Sequence, residues 1–113
     1  MGTVKQKRTA EQIKVMLSEL LRLEVADPRI QGLTVTEVTL DRELQHADIH
    51  VNALGDEDRQ EEVLAGLEKA QSFIRRELAQ RLRLRKFPQL HFHWDNSLQQ
   101  AIELDALLDS LDI

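Results

Sequence analysis

The sequence contains no cysteine and no tyrosine, and it has only two prolines, four glycines, three phenylalanines and one tryptophan. The absence of cysteine excludes disulfide bonds and thiolate metal sites, and it suits a reducing compartment. No apolar run approaches the roughly 20 residues that a membrane span needs, and no signal-peptide pattern precedes Lys5. We therefore expect a cytoplasmic protein that does not associate with membranes.

Acids outnumber the cations, and many of the cations are gathered in one segment. The chain has 15 Lys and Arg residues against 20 Asp and Glu residues, which gives a net charge of −5 at pH 7. Residues 70–86 contain a single acid, Glu77, and six of the basic residues: Arg75, Arg76, Arg81, Arg83, Arg85 and Lys86. This uneven distribution in an acidic protein indicates that an anion binds at this segment.

The length and composition predict a single globular domain over residues 1–113, with residues 1–7 as a flexible basic lead-in. Thr9 and Gln12 have the spacing of a helix capping box. A helical period follows and ends before Asp27-Pro28. Its apolar positions are Ile13, Met16, Leu17, Leu20, Leu21 and Val25.

Three segments have the composition and alternation of β-strands. Residues 33–40 are rich in β-branched side chains, and a change of apolar phase between Val35 and Val38 suggests a bulge. Residues 46–53 place Asp48, His50 and Asn52 on the polar face. Residues 89–95 place Leu90, Phe92 and Trp94 on the apolar face.

A second helical period runs from Val63 to Leu82, and Ser72 interrupts it, because serine competes for backbone partners inside helices. One kinked helix and two helices in tandem both fit this pattern. Residues 97–111 predict a last amphipathic helix that carries acids and no bases. Together the elements predict an α+β fold in which helices cover one face of a small mixed sheet.

The second helical period also determines which cations face solvent. With Ile74, Leu78 and Leu82 on the buried stripe, Arg76, Gln80 and Arg83 fall on the opposite side. Arg75 and Arg81 flank the stripe, and Arg85 and Lys86 continue into the next turn. A solvated face is the simpler interpretation, but few acids are available for pairing, and arginine suits phosphate recognition.

A second basic cluster lies near the start of the chain at Lys5, Lys7, Arg8 and Lys14. It either extends the binding surface or keeps the segment soluble. The predicted RNA-binding residues are therefore Arg75, Arg76, Gln80, Arg81, Arg83, Arg85, Lys86, Lys7 and Arg8. With few aromatic residues for base stacking, phosphate contacts should dominate over sequence reading.

Seven short motifs lie between Arg8 and Leu111: Asp27-Pro28-Arg29, Thr34-Val35-Thr36-Glu37-Val38, Leu44-Gln45-His46-Ala47, Phe73-Ile74-Arg75-Arg76-Glu77-Leu78, Arg81-Leu82-Arg83-Leu84-Arg85, Pro88-Gln89-Leu90 and Asp95-Asn96-Ser97-Leu98. In order and spacing they resemble the ribosome-binding factor A family. The resemblance implies a type II KH-like fold, α-β-β-α-α-β, with an additional C-terminal helix. It also implies a helix kink in place of the Gly-x-x-Gly loop of ordinary KH modules. The kink matches Ala70, Gln71 and Ser72, where Ser72 replaces the family's usual glycine.

The family resemblance implies a non-catalytic factor without cofactors. Such a factor binds the free 30S subunit and precursor 16S rRNA late in assembly, supports 16S rRNA maturation and acts in cold adaptation. Ribosomal proteins and assembly GTPases are further implied partners, and the factor is expected to act as a monomer.

Two alternatives come from other features of the sequence. The acidic C-terminal helix or a sheet edge predicts a protein-interaction module. His50, His91, His93 and Asp95 share a predicted strand face, and such a set suggests a metal-dependent enzyme only weakly, because ligand spacing alone is not specific.

Overall fold

A computed structural model describes residues 4–23, 25, 27–53, 57–84 and 86–111. Short 3₁₀ turns lie at Pro28–Ile30 and Glu57–Arg59. The main elements are α1 (Val4–Leu23), β1 (Thr34–Leu40), β2 (His46–Asn52), α2 (Gln60–Leu82), β3 (Gln89–Trp94) and α3 (Ser97–Leu111). Within the described ranges, no helix is long and apolar enough to cross a membrane.

The sheet is mixed, as predicted. Its strand order is β1-β2-β3, in which β1 and β2 are antiparallel while β2 and β3 are parallel. A parallel pair needs a crossover connection, and α2 provides it. The register of β1 against β2 shifts between Val35 and Glu37, which confirms the predicted bulge.

Helices α1 and α2 both contribute to the core together with the three strands. The buried apolar residues of α1 and α2 lie on the helical periods predicted from the sequence. Fully buried side chains contribute about 1.5–3 kcal/mol each when they are large and apolar. The largest of them include Ile13, Leu17 and Leu20 in α1, Ile49 in β2, Leu67, Ile74 and Leu78 in α2, and Leu90 in β3. The α+β fold class is therefore confirmed.

The start of the first helix was predicted wrongly. Helix α1 begins at Val4, so residues 4–7 are helical and not a flexible lead-in. Thr9 is buried inside the helix and does not cap it. The helix extends because its first turns pack near the end of β1, where the Gln6 side-chain amide donates a hydrogen bond to the Leu40 carbonyl. Residues 1–3 lie outside the described part of the chain.

Helix α2 runs without a break from Gln60 to Leu82. One helix therefore replaces the two tandem helices of the α-β-β-α-α-β order, and that version of the prediction is wrong. Ser72 is exposed, so water can satisfy its hydroxyl and the residue need not interrupt the backbone ladder. A bend of the helix axis at Ala70, Gln71 and Ser72 stays a prediction.

The position of Asn52 also differs from the prediction. Strand alternation predicted it on the polar face, yet only 2% of its surface is exposed. Its side-chain amide donates a 2.7 Å hydrogen bond to the Asp95 carbonyl beyond β3. The strand ends here under the chain that leads to α3, and this covering overrides the alternation of faces.

Candidate nucleic-acid interface

The C-terminal half of α2 presents a row of polar side chains to solvent. Ile74 and Leu78 are fully buried, while Arg76, Gln80 and Arg83 are exposed, as the helical period predicted. The helix ends at Leu82, and Arg83 follows in the left-handed conformation with φ 52°. Its backbone N–H donates to the Ala79 carbonyl at 3.0 Å, a common way to end a helix.

Arg75 fixes the segment that leads into β3. Its guanidinium donates to the Phe87 carbonyl at 2.8 Å and to the Pro88 carbonyl at 3.2 Å. Both bonds leave the charge of Arg75 in place. The residue was predicted to flank the buried stripe, and the structure gives it a role in positioning the loop as well.

A cleft separates α2 from the edge strand β3. Glu68, Ser72, Arg75, Arg76 and Ala79 line its helix side, so one acid lies beside the two cations, and residues 89–93 line its strand side. At the base of the cleft, the Gln71 side-chain amide donates to the Leu90 carbonyl at 2.7 Å, so the helix is tethered to the strand. Two of the predicted cations thus stand beside a strand edge.

Arg76 also contacts an aromatic ring. Its guanidinium carbon lies 5.8 Å from the centre of the Phe73 ring, which is within the range of a cation–π interaction. Phe73 itself is half-buried and packs against the core. The ring therefore orients the arginine head without neutralising its charge.

A second cleft joins cations that are distant in the sequence. Lys5 of α1 lines it together with Arg75 of α2 and Lys86 of the following turn. Glu43 also lines this cleft, so one acid lies among the three cations. Lys5 belongs to the N-terminal basic cluster, for which an extension of the binding surface was one of two predictions, but it was not in the predicted RNA-binding set. No local pattern links residue 5 to residue 86, so only the packing of α1 could place it there.

The N-terminal cluster is divided by the helix geometry. Lys7 lines a separate cleft with Lys14 and Glu37, and Arg8 borders another with Glu11. Neither residue lines the clefts beside the C-terminal half of α2. Arg81 is exposed on α2, and Arg85 lies outside the described residues. The predicted set is therefore brought together only in part.

The exposed cations of α2 retain their charge for an external partner. Across the described ranges, Arg76, Arg83 and Lys86 form no ion pair. Two arginines elsewhere in the chain are paired: Arg29 with Asp27 at 2.6 Å and Arg59 with Glu62 at 3.1 Å. Unpaired guanidinium groups beside an open cleft suit phosphate oxygens, which accept two parallel hydrogen bonds from arginine.

All four histidines lie on β2 and β3. His46 and His91 approach within 3.0 Å through ring nitrogens, His50 stacks on His93 with centroids 5.1 Å apart, and His93 contacts Asp48 at 2.8 Å. These contacts are pairwise. Among the described residues, no group of three or more His, Asp or Glu side chains could hold a metal ion.

Asp95 ties the open face of the sheet together. Its carboxylate accepts hydrogen bonds from the Thr36 hydroxyl of β1 and from the Ser97 backbone N–H at the start of α3. These bonds to Thr36 and Ser97 lower the pKa of Asp95 to about 2. The motif Asp95-Asn96-Ser97 therefore positions the end of β3 and does not form part of the cationic surface.

Comparisons with known proteins are consistent with this architecture. Residues 5–108 match the sequence profile of the family described as ribosome-binding factor A. A protein of that name from Aromatoleum aromaticum is 38% identical over 107 residues, which cover 95% of this chain and 84% of that protein.

Solved structures are similar as well. The crystal structure of ribosome-binding factor A from Thermus thermophilus matches with a TM-score of 0.72 and 29% identity, covering 81% of this chain and 97% of the other. A homology model of the Thermus thermophilus protein, fitted into a cryo-EM map of a complex of the 30S with that factor, matches with a TM-score of 0.64. It is 31% identical and covers 77% of this chain and 91% of that one.

Proposed function

Since the chain belongs to the ribosome-binding factor A family, we propose that it binds the small ribosomal subunit through RNA contacts of its cationic α2 surface. We define this surface as Arg75, Arg76 and Gln80 of α2, together with Arg83 and Lys86 beyond its end and Lys5 of α1. The observation that carries the proposal is the cleft between α2 and β3, where Arg75 and Arg76 stand beside an open strand edge.

The chemistry of the surface favours the RNA backbone over the bases. Guanidinium groups bind phosphate oxygens strongly, and such contacts position a protein without reading sequence. The rings that line the cleft are those of His91, Phe92 and His93 of β3, and the chain has no tyrosine. Shape and phosphate geometry are therefore the features that this surface recognises.

In finer detail, we propose that the protein acts late in assembly, on the free 30S subunit and precursor 16S rRNA. There it supports 16S rRNA maturation in the cytoplasm, and this activity is most important at low temperature. It works as a monomer without cofactor or catalysis, next to ribosomal proteins and assembly GTPases. The unpaired cations and the match to the family support this assignment.

The test is a double substitution, Arg76→Ala with Arg83→Ala, in the full chain. Both side chains are exposed, so thermal unfolding should be unchanged. Affinity for small subunits should fall by about a hundredfold or more, since two charge-assisted hydrogen bonds at about 1.5–3 kcal/mol each are lost. Sedimentation with purified small subunits measures the affinity.

Arg22→Ala is the matched control, because Arg22 is an exposed cation at the far end of α1. It removes the same kind of charge from a surface outside the proposed site. If the folded double variant sediments with subunits as the unmodified chain does, or if Arg22→Ala weakens binding equally, the assignment of RNA binding to α2 is wrong.

A further inference from the structure

Helix α3 is amphipathic but does not cover the body of the protein. Ser97 and residues 100–111 are all exposed, and no described α3 side chain belongs to the core. Ile102, Leu104, Leu107, Leu108 and Leu111 expose between 53% and 71% of their surfaces. Contiguous exposed apolar side chains of this kind mark interaction sites in soluble proteins.

The spacing of the apolar residues in α3 indicates that another helix could pack against them. Ala101, Leu104, Leu108 and Leu111 repeat at intervals of three and four residues, which is the pattern of a coiled-coil seam. Such a seam inserts its side chains between those of another helix. We call these four residues the α3 seam.

The charge of α3 decides what kind of helix it can accept. Residues 97–111 contain Glu103, Asp105 and Asp109 and no Lys, Arg or His. Helical geometry puts Asp105 and Asp109 on one side of the α3 seam. A second copy of α3 would set acids against acids, and RNA phosphates would be repelled in the same way. A partner with lysine or arginine beside its apolar stripe would neutralise them.

The length of α3 supports the need for a partner. It has 15 residues, and isolated helices of about 12–15 residues are marginal in water, because most helical stability in proteins comes from packing of an apolar face. Since no α3 side chain that the structure describes belongs to the core, a second molecule that buries the seam would supply that stability.

We propose that the α3 seam docks a basic amphipathic helix of another protein. The site is distinct from the cationic α2 surface and opposite to it in charge. The protein therefore has two interaction surfaces, an anion-binding one on α2 and a cation-binding apolar one on α3, and the second does not depend on the RNA assignment of the first.

The experiment uses the full chain labelled for NMR and two synthetic helical peptides. Both peptides carry leucine at seam positions; one has lysine beside the seam, and the other has glutamate at the same positions. The lysine peptide should shift the backbone amides of α3 and bind at least about tenfold more tightly than the glutamate peptide, because only it neutralises the acids. Titration with an RNA duplex should leave the α3 amides unshifted.

Substitutions in α3 distinguish specific binding at the seam from non-specific hydrophobic binding. The double substitution Leu104→Ser with Leu108→Ser should lower the affinity for the lysine peptide by about a hundredfold, since both leucine side chains are buried in the complex. Ala106→Ser, on the side of α3 away from the seam, should bind as the unmodified chain does. Both variants should melt as that chain does, because these side chains are exposed.

Three results would overturn the proposal. The two peptides could bind equally well, or neither could shift the α3 amides. Alternatively, sedimentation equilibrium could reveal a dimer that Leu104→Ser with Leu108→Ser abolishes, which would make a second copy of this chain the occupant of the seam.

Discussion

Arg75 links the charge of the α2 cleft to the position of β3. Its two bonds to the Phe87 and Pro88 carbonyls use the planar fork of the guanidinium, which a lysine lacks. The motif that contains Arg75 therefore serves stability as well as binding. Loss of this residue alone would mix the two effects.

The substitution Arg75→Lys separates the contribution of Arg75 to stability from its contribution to RNA binding. Lysine keeps the charge but cannot reach both carbonyls in the same geometry, so the free energy of unfolding should fall by about 1 kcal/mol, while affinity for RNA changes little. Denaturant unfolding and an RNA-binding titration measure the two quantities. Arg76→Lys serves as the control, because Arg76 holds no backbone carbonyl and its replacement should leave stability unchanged. Equal stability of both variants would contradict the role of Arg75.

Asp95 predicts a pH dependence of stability. Its pKa is lowered from 3.8 to about 2 in the folded protein, so the ionised form favours folding. This contribution is complete above pH 4 or so and is lost as the pH falls through about 2. Asp95→Asn should therefore lower stability at neutral pH, and the stability of this variant should fall less steeply between about pH 4 and pH 2. Thermal unfolding at a series of pH values measures it.

Asp27 must be considered in the same experiment. Its bonds to the side chain and backbone of Arg29 also lower its pKa to about 2, so some acid sensitivity should persist in Asp95→Asn. Asp109→Asn, on exposed α3, is the control for loss of a charge alone. An identical pH profile for Asp95→Asn and Asp109→Asn would exclude the proposed role of Asp95.

At the scale of secondary-structure elements, α2 packs closely against the turn at Pro28–Ile30, and we expect the stability of the protein to depend on this contact. A Cβ atom added at Gly66 would lie 3.0 Å from the Ile30 Cγ2 atom and 3.1 Å from the Arg29 Cβ atom. Ile30 is buried at 1% exposure and cannot move freely. The Asp27–Arg29 pair supports this turn, which accounts for the motif Asp27-Pro28-Arg29.

Gly66→Val should destabilise the protein because a branched side chain would overlap Ile30. Overpacking of this kind costs about 1–3 kcal/mol. Ala65→Val is the matched control: it makes a branched residue at the exposed neighbouring position and reports only the lower helix propensity of valine. Denaturant unfolding of both variants measures the difference, and equal losses would show that the approach is not tight.

The molecule as a whole separates its charges. The cations of α2 and the acids of α3 lie on different elements, and the net charge of −5 hides the arrangement. A cationic site that releases counterions from RNA weakens as salt rises. About four phosphate contacts predict a slope near −3 for the logarithm of affinity against the logarithm of salt concentration, at about −0.7 per phosphate.

Measurement of RNA affinity over a range of salt concentrations checks this slope. Arg76→Ala with Arg83→Ala should reduce its magnitude by about 1.4, which corresponds to two contacts, whereas Arg22→Ala should leave it unchanged. A salt-independent affinity would indicate that the subunit is bound mainly through protein contacts.

The sequence by itself determined the features that depend on neighbours along the chain. The periods that bury Ile74 and Leu78, the outward row of Arg76 and Arg83, and the bulge in β1 all follow from the repeat of a helix or strand. Local geometry fixes such features before any tertiary contact forms.

Tertiary structure alone decided how distant segments meet. The strand order β1-β2-β3, the cleft that joins Lys5 to Lys86, and the burial of Asn52 depend on contacts between residues far apart in the chain. So does the exposure of α3, which the sequence predicted to be amphipathic without indicating what covers its apolar face. A periodic apolar face shows that a helix can be covered, but only the arrangement of the whole molecule determines whether its own body covers it.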